Sequence, residues 1–123
     1  MMKIVRLYSG DDGESHFQDI EIDLKPHGSG FYSELFKTEG VMFRSVAGDY
    51  SLDYHTAHKR FLVVNLTGFV DLEVGDGTVK RMGPGTVLLA EDYTGRGHRS
   101  KAVEGEPRTC LMIPLAEDVK LTN

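Results

Sequence analysis

The stretch Phe69-Val70-Asp71-Leu72-Glu73-Val74 alternates apolar and acidic side chains with a period of two and runs straight into Gly75-Asp76-Gly77. That period fits a strand half-buried against a core, with Val70, Leu72 and Val74 inward, and an Asp-Gly step suits a tight hairpin turn. The segment Asp19-Ile20-Glu21-Ile22-Asp23-Leu24 behaves alike, with Ile20, Ile22 and Leu24 on one face and three carboxylates on the other. Thr78–Met82 continues the hairpin. Ile4–Tyr8, Val41–Val46, Arg60–Leu66, Thr86–Ala90 and Thr109–Leu115 are further short runs rich in Val, Leu, Ile or Phe and bounded by turn residues. About eight strands spaced ~8–12 residues apart, with no amphipathic helix among them, predict an all-β sandwich or barrel, and eight strands are what a jelly roll uses. Fourteen glycines against four prolines agree with many tight corners. The longest irregular segments are Gly10–His16, Pro26–Gly30 and Glu91–Arg99.

A chain of 123 residues predicts one domain over 1–123 with a real hydrophobic core. The single Cys110, beside Leu111-Met112-Ile113, cannot form an internal bridge and reads as a packed thiol. No apolar run approaches the ~18 residues of a membrane span. The amino-terminal Met1-Met2-Lys3-Ile4-Val5-Arg6 lacks the pattern of a secretory signal, so a cytoplasmic protein is expected. A formal charge of −5 opposes broad binding to nucleic acid or to anionic membranes. The expected partners are a small-molecule ligand and other subunits.

Chemistry concentrates around three of the five histidines. His16 and His27 lie in polar stretches and read as solvated. His55 and His58 precede the apolar run Phe61–Leu66, and His98 closes the polar-glycine segment Glu91–Gly97. Imidazoles converging inside a barrel with a carboxylate can hold Fe, Mn, Ni or Zn, and Glu91 or Asp92 is available to supply it. His55 and His58 are three apart, however, and on a regular strand they point to opposite faces unless a bulge or turn intervenes. Arg60 shares a face with Leu62 and Val64, so it lies either on the outer wall or at the mouth, where its guanidinium would receive an anion. Arg96, with Arg99 and Lys101, is a second candidate for that task. His98 can also work without metal, as a proton carrier oriented by Asp92 with a phenol, Tyr54 or Tyr93, nearby.

Gly48, His55, Gly68, Gly83-Pro84-Gly85 and His98 together resemble the two-part signature of the cupins, over roughly residues 41–115. The likeness is closer to a group of small single-domain cupins: His55-Thr56-Ala57-His58-Lys59-Arg60-Phe61-Leu62-Val63-Val64-Asn65-Leu66-Thr67-Gly68 and Gly83-Pro84-Gly85-Thr86-Val87-Leu88-Leu89-Ala90-Glu91-Asp92-Tyr93-Thr94-Gly95-Arg96-Gly97-His98 carry it. The resemblance implies a cupin-type jelly-roll β-barrel with a pocket at its mouth and metal ligands at His55 and His98. Phe61 stands where the general signature has its carboxylate, Ala57 where it has a second imidazole, and the loop before His98 is two residues longer. His58 or Glu91 would have to complete a divalent-metal shell. With His98, His55 and Asp92 as the catalytic candidates, three uses stay open: a metal-dependent oxygenase or isomerase, a metal-free ligand-binding sensor, and a metal-free isomerase or epimerase that works through a His–Asp pair with a tyrosine. Small cupins of this kind pair through sheet edges, so a homodimer is expected, with Ile4–Tyr8 covering a neighbour's edge.

Overall fold

The computed structural model describes residues 2–122, and among them there are twelve strands and no helix. In chain order they are β1 (Met2–Ser9), β2 (Ser15–Ile22), β3 (Lys25–His27), β4 (Gly30–Tyr32), β5 (Met42–Val46), β6 (Ser51–His55), β7 (Phe61–Thr67), β8 (Val70–Glu73), β9 (Val79–Met82), β10 (Val87–Glu91), β11 (His98–Ala102) and β12 (Arg108–Pro114). All eight expected runs are strands. The four additional ones are the small β3–β4 hairpin, in a stretch read as irregular, and β6 and β11, whose sequences carry no apolar alternation.

A six-stranded sheet in the order β2-β1-β10-β7-β12-β5 faces a four-stranded sheet in the order β6-β11-β8-β9. Alternation works as anticipated in β8: Val70 and Leu72, with Val74 just beyond, pack against Met82 of β9 and against Leu7 and Leu88 of the opposite sheet. The hairpin joining β8 to β9 turns at Asp76-Gly77, where Gly77 takes φ 90° and the Val74 N–H donates to the Thr78 carbonyl at 3.0 Å. Positive φ is free of steric penalty only for glycine, which explains the residue at that corner.

The six-stranded sheet is covered on its other face too. Ile4, Ile22, Leu89, Leu115 and Leu121 form a second core, joined by Leu62, Val87, Phe36 and Val119. The segment after β12 therefore folds back over the outside of the sheet. Between two cores, strands such as β7 and β10 are apolar on both faces, which is why their sequences read as continuous hydrophobic runs.

The expected role of Ile4–Tyr8 is overturned. β1 lies inside the six-stranded sheet, antiparallel to β2 and parallel to β10, with Val5 opposite Leu88 and Tyr8 opposite Glu91. Its backbone groups are already paired on both sides, so it cannot add to a neighbour's edge. The edges of this sheet are β2 and β5.

Candidate functional site

Between the two sheets lies a cavity of about 490 Å³. Phe61, Val63 and Asn65 line it from alternate positions of β7, and Leu72, Met82 and Leu88 supply much of the remaining wall. Strand register fixes its two ends. His98 pairs with His55 where β11 begins, and the Ala57 N–H donates to the Asp92 carbonyl at 2.9 Å, closing the loops at that end. At the opposite end Ala102 pairs with Val70, Val70 with Met82, and Asn65 donates to the Gly68 carbonyl at 2.7 Å.

At the first end, His98 and Asp92 are both buried, and Nδ1 of His98 lies 2.6 Å from Oδ2 of Asp92. The same oxygen accepts from the Ser15 hydroxyl at 2.8 Å, while Oδ1 has no hydrogen-bond partner among the described residues. A carboxylate accepts only, so Nδ1 carries the hydrogen and Nε2 is the free atom of the ring. Asp92 reaches this place because β10 ends one residue earlier. The chain then reverses through Gly95 and Gly97, both at positive φ, before β11 brings His98 back.

His55 arrives by a register slip. Between His98 and Ser100 of β11 the pairing shifts from His55 to Leu52, so β6 carries one extra residue there. This bulge turns Leu52 and His55, three apart, to the same side, and both line the cavity. Nδ1 of His55 lies 2.8 Å from the Asp53 carbonyl oxygen, to which it must donate. The two imidazole rings lie 4.4 Å apart between centroids at 53°, each with Nδ1 tethered and Nε2 without a hydrogen-bond partner among the described residues. His58 follows β6 in a turn and also lines the cavity, with its ring edge-on to Phe61.

Other expected residues lie elsewhere. Arg60 is on the outer wall, donating to Glu91 at 2.8 Å and to the carbonyls of Ala116 and Val119. Glu91 also pairs with Arg6, so this carboxylate faces the second core and not the cavity. Arg96 binds Glu14 through two hydrogen bonds of 3.0 and 2.7 Å. Tyr54, next to His55 but on the other face of β6, is held between Arg96 and Arg99, 4.8 and 5.1 Å from its ring centre. Tyr93 is 40% exposed; partial burial, helped by the Glu91 charge, pushes its phenol pKa up. None of these five lines the cavity, which removes Arg60, Tyr54, Tyr93 and Arg96 as its ligand contacts and Glu91 as a donor in it.

The donor set for the expected metal does not assemble. Among the described residues no group of three or more His, Cys, Asp or Glu side chains is placed to hold an ion. Ala57 and Phe61, in positions where the resemblance would require an imidazole and a carboxylate, line the cavity as apolar groups. Three imidazoles, His55, His58 and His98, line the cavity, but they are not placed around one point as the three protein ligands of a catalytic metal site must be.

Two residues at the far end went unnoticed in the sequence. Arg44 of β5 and Arg108 of β12 both line the cavity, and Arg108 is 7% exposed. The Arg108 guanidinium donates to Oδ1 of Asn65 at 3.3 Å, and Arg44 donates to the Tyr50 hydroxyl at 3.3 Å. Burial pushes the Arg108 pKa below the ordinary arginine value, and the neighbouring Arg44 charge acts in the same direction. Arg108 starts β12 and Arg44 sits mid-way along the short β5, and an arginine in either place normally reads as solvated, so only the three-dimensional placement distinguishes these two.

No protein-family model matches the sequence, and no curated protein matches it significantly. Solved structures do match. A Cupin 2 conserved barrel domain protein from Salinispora arenicola superimposes with a TM-score of 0.52 at 15% identity, over 77% of this chain and 74% of that one. A conserved protein of unknown function from Streptococcus pyogenes does so with a TM-score of 0.50 at 16% identity, over 70% and 71%. The chain has a cupin-like, all-β barrel fold.

Proposed function

We propose that the cavity binds a small organic molecule and that His98, oriented by Asp92, moves a proton on it without a metal. The supporting observation is the buried Asp92–His98 contact of 2.6 Å at the wall of a cavity in which apolar side chains supply most of the surface. A carboxylate holding Nδ1–H fixes the tautomer, leaves Nε2 as the acceptor, and stabilises the imidazolium formed when Nε2 takes a proton. His55, locked in the same tautomer by the Asp53 carbonyl, presents a second Nε2 beside it. The wall formed by Phe61, Leu72, Met82 and Leu88 offers water no hydrogen-bonding partner, and such an apolar surround strengthens each of these contacts.

The test is hydrogen exchange. Small carboxylic acids carrying a carbonyl-activated C–H are incubated in D₂O with the protein, and solvent deuterium is followed by NMR. The parent protein is expected to exchange at least one of them roughly 10²-fold or more faster than His98→Gln, in line with a positioned general base. A compound that raises Tm yet exchanges no faster with the parent than with the variant would overturn the proton-transfer role and leave a binding protein.

A further inference from the structure

Resting on that reading, we propose that Arg44 and Arg108 form the anion subsite of the cavity, and that its ligand is a small carboxylate with an apolar body reaching back to His55 and His98. A guanidinium as buried as Arg108 ordinarily has a carboxylate beside it, because an uncompensated buried charge is expensive. Here its one side-chain hydrogen-bond partner among the described residues is the neutral Asn65, and the Arg44 charge adds repulsion. Among the described residues Arg44 is likewise paired with neutral groups only, the Tyr50 hydroxyl and the Met112 sulfur. The two side chains come from adjacent strands, where Arg44 sits opposite Cys110 and Arg108 opposite Val46. Both open into the cavity. An anion entering between them supplies the missing countercharge and accepts from the planar forks.

The rest of the wall selects the kind of anion. Val63, Val70, Met82 and Met112 line the same cavity, and a dianionic phosphate would have to be desolvated among them. A carboxylate carries a single charge, and its plane matches the guanidinium fork. With the imidazoles at the other end of a 490 Å³ space, such a ligand lies with its acid group at the arginines and its reactive carbon beneath Nε2 of His98.

The experiment compares carboxylates with their uncharged amides: acetate, hexanoate, decanoate and 4-phenylbutyrate against the four corresponding primary amides. Side-chain Nε–H signals of arginine and ring signals of histidine are followed by ¹⁵N NMR on the parent protein, on Arg108→Met and on Arg44→Met. At least one carboxylate is expected to shift the Arg44 and Arg108 signals and to bind about tenfold or more tightly than its amide, a preference that either substitution abolishes. Carboxylates and amides that bind alike, shifting histidine signals but not arginine signals, would overturn the subsite while leaving the cavity a binding site. Failure of all eight compounds to move either set of signals would overturn both. The parent comparison decides these outcomes even if a variant does not fold.

Discussion

A Cβ placed on Gly97 would lie 1.9 Å from the carbonyl oxygen of His55, and Gly97 itself takes φ +80°. The residue before His98 is thus pressed against the backbone of the other cavity imidazole. This close approach sets the ring pair in register, because β6 and β11 can meet at His55 and His98 only if nothing projects from position 97.

Gly97→Ala is therefore expected to cost at least about 2 kcal/mol of stability, from unfavourable φ and from overlap with backbone that cannot yield. It should also separate the imidazoles. Chemical denaturation measures the first effect, and histidine ring signals in NMR measure the second. An unchanged denaturation midpoint would show that the loop shifts freely.

Asp92→Asn tests the tautomer without any ligand. The parent His98 should show hydrogen on Nδ1 and a bare Nε2 in ¹⁵N spectra at a pH where it is neutral. An amide in place of the carboxylate can donate to Nδ1, and the hydrogen is then expected on Nε2, which abolishes the acceptor facing the cavity. Proton-transfer activity should fall with it by about 10²-fold or more. A spectrum identical to the parent's would mean that Asp92 does not set the ring's state.

Arg60→Met separates wall from site. Its guanidinium ties Glu91 to the carbonyls of Ala116 and Val119, so its loss should destabilise the fold by about 1–3 kcal/mol. Binding in the cavity should stay within about twofold of the parent, since Arg60 points to the opposite side of β7. A large loss of binding with unchanged stability would place Arg60 at the ligand after all.

Asp71 governs part of the acid response. Paired with Arg81 through bonds of 2.8 and 3.0 Å, its carboxyl is held below the ordinary 3.8, chiefly by the hydrogen bonds and then by the Arg81 charge, against some desolvation. A depressed carboxylate stabilises the fold fully above 3.8, and that contribution disappears as pH falls through the lower folded value. Tm of the parent should therefore drop more steeply below that pH than Tm of Asp71→Asn. Parallel curves would show that the pair contributes nothing.

The barrel was legible wherever apolar alternation faced a packed core. Val70, Leu72 and Val74, the Asp76-Gly77 turn, and Ile20 with Ile22 all stand where their periodicity put them. Legibility failed where a strand faces the cavity. In β11 the inward side chains are His98 and Ser100, and both are buried and polar, so hydrophobic alternation is absent from a true strand. Asn65, Arg44 and Arg108 escaped for the same reason: their polarity serves an interior space. Arg60 misled in the opposite sense. It shares its face with Leu62 and Val64 as the alternation required, but the face that packs on them is supplied by residues far along the chain, and nothing local reveals it.

The parallel seam between β1 and β10 also governs how the molecule comes into being. Val5 meets Leu88 and Tyr8 meets Glu91, partners brought together only after most of the intervening polypeptide has been gathered in. Such long loops must close before the contacts reward them, and proteins dominated by distant pairings fold on the order of milliseconds to seconds. Until that seam zips, β10, whose Leu88 and Ala90 face the hollow, lacks its neighbour on one side, so the sheet behind the guest's space is completed only by long-range pairing.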